Sequence, residues 1–197
     1  MSVQSVYNTY PDLGYPGDIA RPSEPHAFDT GLAQVPSNGR KPRPGDAVYY
    51  DRSANGFAVP TSDPQRAAVV GIVSFDPGVV QSTAASTPSG SNTDKFIEYD
   101  DGDELKVVVF GVVWVEAGSA MEYGQLVQQD TYSSPDYLWD PYTTDLTIEA
   151  ATSVADLRTE VVALADSFRS KTFTCVSPAA VAANGLAQVR ISQGRII

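Results

Sequence analysis

"KFIEYDDGDELKVVVFGVVWVE", residues 95–116, decides how the rest of the chain is read. Phe96, Ile97 and Tyr99 form one short strand, and Asp100–Asp103 is a turn built around Gly102. Leu105–Val115 is then the long partner strand of a hairpin. That partner is apolar at successive positions rather than alternate ones, so both of its faces have to be covered, as in a barrel or sandwich core.

Working outward, the same grammar repeats. "RAAVVGIVSF" (66–75) is a β-branched strand in which Gly71 marks a bulge or a close approach. "PGDAVYYD" (44–51) is a turn followed by a short strand. Between 76 and 94 the text ends in a polar run of small residues, and 81–93 is expected to be a mobile loop. Beyond the hairpin, a turn at Gly118 leads to a strand at 125–129, and an aromatic, proline-containing loop fills 130–151. In 152–170, Ser153 and Asp156 resemble a capping box, and Leu157, Val161, Leu164 and Phe168 recur at helical spacing. A helix is expected there, with a strand at 160–164 as the alternative. "KTFTCV" (171–176) is a strand, "SPAAVAANG" (177–185) a helical turn stopped at Asn184–Gly185, and "LAQVRI" (186–191) a closing strand. About eight short strands with one or two short helices predict a mainly β body, a small β-barrel or sandwich, over 45–197.

Residues 1–44 read differently. They hold seven of the 14 prolines, and their four acidic side chains are balanced by four basic ones, so the body carries the whole net charge of −11. This shift predicts an extended N-terminal arm at 1–44, either a disordered tail or a strap that orders on a partner. Its tyrosines, Tyr7, Tyr10 and Tyr15, together with Phe28, are unusual for a linker. The body is expected to stay folded when residues 1–30 are removed.

Composition excludes several classes of function. An acidic chain of pI about 4.3 is poorly suited to nucleic acid or to anionic membranes. No segment reads as a signal peptide, and the longest apolar run, Val107–Val115, is half a membrane span. A single cysteine allows no internal disulfide, and one histidine with one cysteine cannot supply a zinc site. His26 lies in the proline-rich stretch, away from any scaffold for a nucleophilic relay, and Cys175 reads as a buried thiol. "DDGDE" (100–104) lacks the distal glutamate of a calcium loop. No phosphate-cradling glycine loop occurs, and none of the 24 acidic residues stands out as a catalytic pair. No cofactor is implied. "YLWDPY" (137–142) is more informative: Tyr137, Trp139 and Tyr142 cap the core, meet a protein partner, or stack on a sugar.

Three stretches together resemble the capsid cement, or head decoration, proteins of tailed bacteriophages. The first is "YNTYPDLGYPGDIA" (7–20), through Asn8, Pro11, Gly14, Tyr15, Gly17 and Ala20; the second is "VVVFGVVWVEAGSAMEYGQLV" (107–127); the third is "ANGLAQVRI" (183–191). Gln125 departs from the pattern, where the family often has Asp, and the loops at 76–94 and 130–151 are long. The resemblance implies a non-enzymatic virion protein on the outer surface of the capsid. It implies a protein that bridges neighbouring major capsid subunits, often as a homotrimer. On that reading Tyr7, Tyr10, Tyr15 and Phe28 anchor the arm, and Tyr137, Trp139 and Tyr142 add contact surface. A carbohydrate- or receptor-binding β module is the competing class, and a hydrolase with an unassigned carboxylate pair is a third.

Overall fold

A computed structural model of the chain describes residues 15–37, 40–62, 65, 68–75, 82–83, 97–129, 138–142 and 171–192. The strands are β1 (Ala27–Ala33), β2 (Ala47–Asp51), β3 (Gly56–Ala58), β4 (Val69–Val73), β5 (Ser82–Thr83), β6 (Ile97–Glu98), β7 (Glu104–Glu116), β8 (Val127–Gln129), β9 (Trp139–Pro141), β10 (Thr172–Cys175) and β11 (Leu186–Ser192). The protein is mainly β. Strands β1, β3, β2, β4 and β7 follow one another around a closed five-stranded barrel, because β7 pairs back with β1. Beyond the barrel, β7 continues into β11 and then β10, while β8–β9 and β5–β6 form two small ribbons.

Strand β7 belongs to two structures at once. Glu104–Phe110 lies against β1, and Val107 and Val108 also face β4. Gly111–Glu116 pairs with β11 instead. The change occurs at Gly111, whose φ of 134° is hostile to an L side chain, and a Cβ there would stand 2.8 Å from the His26 ring. Two cores result. Ala33, Val48, Phe57, Val73, Leu105 and Val107 fill the barrel. Ile72, Val108, Val113, Val115, Trp139, Cys175, Val189 and Ile191 form the second core. The apolar character of β7 on both faces thus has its explanation: one face fills the barrel while the other meets a second layer. Gly71 is a close approach, since a Cβ would fall 2.3 Å from the Val108 carbonyl oxygen.

The proline-rich N-terminal stretch is built into this body from Tyr15 onward. Gly17 N–H donates to Trp114 O (2.8 Å), Trp114 N–H to Asp18 O (2.9 Å) and Ala20 N–H to Val112 O (2.9 Å), so residues 17–20 run beside β7 as an added strand. Ala27–Ala33 is a barrel stave. Removing residues 1–30 would therefore take away most of β1, contrary to the expectation that the body tolerates it. Residues 1–14 lie outside the described residues, as does the 152–170 segment. The helical turn expected at 177–185 is an irregular turn, held by a Met121–Val181 bridge and ending with Asn184 at φ 60°. Of the loop expected at 81–93, Ser82–Thr83 form β5, and the rest is not among the described residues.

A polar knot at Gly45–Asp46 ties the layers together. Asp46, only 4% exposed, accepts from Arg40 Nη2 (2.7 Å), Gln129 Nε2 (2.7 Å) and Arg43 N–H (2.7 Å), and forms an ion pair with Arg40. The Gln129 side chain in turn accepts Ala47 N–H (2.8 Å), and Trp139 Nε1 donates to Gly45 O (2.9 Å). Gly45 N–H reaches Val73 O, and Val73 N–H reaches Asp46 O. Replacing Asp46 by Ala removes the ion-pair partner of a largely buried guanidinium, which costs on the order of 3–5 kcal/mol. Urea unfolding is expected to show that loss as a lower midpoint for Asp46→Ala, with Asp46→Asn falling between it and wild type.

Candidate docking surface

The structure separates the aromatic residues that sequence reading had grouped. Tyr15 is 69% exposed and stacks on Phe75 at 5.8 Å. Phe28 is 42% exposed on β1, with the Lys106 ammonium 4.3 Å from its ring centre and the His26 ring stacked beside it. Tyr142 is exposed and donates its N–H to Leu126 O. Trp139 is 1% exposed, lies edge-on to Phe173 and spends its indole N–H on Gly45. It is a core residue, and a sugar cannot stack on it. Tyr7, Tyr10 and Tyr137 lie outside the described residues.

Sequence reading missed five exposed large hydrophobic side chains, Leu32, Tyr50, Phe110, Tyr123 and Leu126. Two of them join Phe28. In β1, Ala33 is core, and a Cβ on Gly31 would press on the Phe57 ring, so Gly31 and Ala33 face the barrel interior and Phe28, Thr30 and Leu32 face outward. Phe110 stands opposite Ala27 across the β1–β7 ladder, and Leu32 stands opposite Glu104. Phe28, Leu32 and Phe110 thus lie along one pair of strands, with Lys106 between them. A signal was present: Phe110 shares its parity with the polar Glu104 and Lys106. Val108, covered by the second core, broke the alternation that would have revealed it.

A polar clasp sets the approach to β1. Arg21 Nη2 donates to Val176 O (2.7 Å), its Nε to Gln188 Oε1 (3.0 Å) and its Nη1 to Glu24 (3.1 Å). Arg190 Nη2 meets the other Glu24 oxygen at 2.9 Å. The hydrogen bond from Arg21, aided by Arg190, holds the Glu24 carboxyl below its ordinary pKa of 4.5. The clasp ties the residues just before β1 to β11.

The remaining polar groups read as structural. Cys175 is buried. The buried carboxylates Asp46 and Glu98 are each held by an arginine, Arg40 and Arg43 respectively. Among the described residues no group of three His, Cys, Asp or Glu side chains is arranged to hold a metal ion.

Because the Glu24 pKa is depressed on folding, the clasp stabilises the protein above about pH 4.5 and fades as pH falls through the folded value. Thermal unfolding of wild type and Glu24→Gln should therefore differ near neutrality, with wild type the more stable. The two curves should converge in acid, and the neutral-pH gap should shrink in high salt, because the clasp is only half-buried.

No curated protein matches the chain. The model of the phage structural cement protein family (E217 gp24/Pam3 gp6) matches it over residues 3–192, across both cores and the N-terminal stretch. With a mainly β body and a match of that extent, the chain belongs to the phage structural cement protein family.

Proposed function

We propose that this protein binds the outer surface of a phage head and bridges neighbouring major capsid subunits. In this reading it acts as a homotrimer, and its work is adhesion rather than catalysis. The family match over residues 3–192 is the observation that carries the reading. The exposed apolar side chains support it, since a partner surface gains from covering them. Tyr15, Phe28 and Tyr142 remain contact residues in the proposal, and Tyr7, Tyr10 and Tyr137 join them from the stretches around 1–14 and 130–137. Burying each such aromatic against another chain contributes roughly 1–3 kcal/mol. Prolines restrict the N-terminal stretch before it docks, which lowers the entropy lost on binding. The carbohydrate-binding alternative loses its principal stacking residue with Trp139 in the core.

Purified protein sedimented with empty expanded heads is expected to bind saturably, at a stoichiometry divisible by three per site. A variant lacking residues 1–14 retains every described strand. It should melt as the full chain does, while its affinity for heads falls by roughly tenfold, about 1.4 kcal/mol. Undiminished decoration by the truncated chain would move the grip to the body.

A further inference from the structure

The barrel is closed along most of its circumference but only partly along one seam. β1 pairs with β3 in parallel through just two positions, Leu32 with Gly56 and Ala33 with Phe57. On its other side β1 is paired with β7 from Ala27 to Leu32. The direction of the backbone groups follows from the register. Ala33 N–H donates to Asp103 O on the β7 side, and Gln34 N–H donates to Phe57 O on the β3 side. Odd residues of β1 therefore turn their polar backbone toward β7, and even residues turn it toward the seam. Leu32 meets β3 there. Phe28 and Thr30 lie beyond the end of that pairing, and no described strand runs beside them. Ala27, Phe28, Asp29 and Thr30 are all exposed. Among the described residues Thr30 N–H meets the neighbouring Asp29 Oδ1 (2.9 Å), a local contact that an incoming carbonyl can replace.

We infer that the open edge at Phe28–Thr30 receives an extended segment of a capsid subunit, which adds to the barrel as a strand. The inference rests on the shell-binding reading above and specifies where and how the shell is held. Main-chain bonds at Phe28 and Thr30 supply the pairing, and the outward Phe28, Leu32 and Phe110 receive the apolar side chains of the added strand. A second copy of this chain is a poor occupant. Antiparallel pairing of two β1 edges that uses both Phe28 and Thr30 centres on Asp29 and sets Asp29 directly opposite its own counterpart, a like-charge pair. Each copy also brings a net charge of −11. The occupant that fits is a strand from a different chain, with an apolar residue toward Phe28 and a neutral or basic one opposite Asp29.

Thr30→Pro tests this without touching the β1–β7 ladder, because the lost N–H points to the seam and proline is accommodated on such an edge. Three measurements on the full chain go together: melting temperature, mass in solution, and binding to empty expanded heads. The expected result is a variant that melts near wild type and keeps its mass, but binds heads at least tenfold more weakly. Wild-type binding by a folded Thr30→Pro protein would overturn the inference and leave the shell-binding reading standing. Failure of the wild-type protein itself to bind would overturn both. A fall in mass on substitution would assign the edge to a second copy instead. Hydrogen exchange of wild type covers the case of a variant that does not fold: the amides of Phe28 and Thr30 should exchange freely in the isolated protein and become protected on heads. Unchanged exchange on decorated heads would also overturn the inference.

Discussion

Everything in this fold is referred to one buried carboxylate. Asp46 sits at the start of β2, yet its oxygens gather Arg40, the backbone of Arg43 and the amide of Gln129 from β8. A charge this deeply buried is tolerable only if each oxygen is satisfied, and that requirement fixes both the 40–43 stretch and β8 against the start of β2. The adjacent Gly45 carbonyl adds β9 by accepting the Trp139 indole N–H. Hydrophobic burial supplies the larger driving force, but it is non-directional and does not choose among ways of stacking one apolar layer on another. The polar knot makes that choice, placing the β8–β9 ribbon at the start of β2.

The long strand at 104–116 and the mainly β class were legible from the sequence because β-branched runs and glycine turns are local signals; the hairpin expected across 95–116 does not form, because Ile97–Glu98 pairs with Ser82–Thr83 while β7 takes β1, β4 and β11 as its partners. The role of Ala27–Ala33 was not legible. Its prolines frame the strand at Pro25 and Pro36 rather than interrupt it, so an average over 1–44 hid a usable strand between them. The strand itself contains Asp29, Thr30 and Gly31, which carry little β signal; tertiary pairing with β7 decides their conformation.

The candidate surface was half legible for related reasons. Phe28 and Tyr142 could be named as exposed aromatics, since nothing nearby in sequence would cover them. Trp139 misled because the group that draws it inward is the Gly45 carbonyl, 94 residues away. Phe110 and Leu32 were hidden in plain apolar runs. Only the register between β1 and β7 shows which side of each strand meets water. Fold class is thus written in short-range pattern, whereas the functional surface is written in pairings between distant segments.

The sharing of β7 between barrel and second sheet also dictates an order of assembly. The first stave made, β1, has its main partner in β7, so Leu32 cannot meet Glu104 until the whole intervening chain exists. β2, β3 and β4 can form a three-stranded sheet early, with β2 in the middle, but that sheet remains open with two raw margins. The arrival of β7 closes the ring and simultaneously presents Gly111–Glu116 as the template on which β11 docks. Long-range pairing of this kind makes folding slow relative to helical domains of similar size. During synthesis the nascent chain therefore passes through an interval in which its N-terminal stave is made but lacks its main partner, and that interval ends only when residues 104–116 emerge.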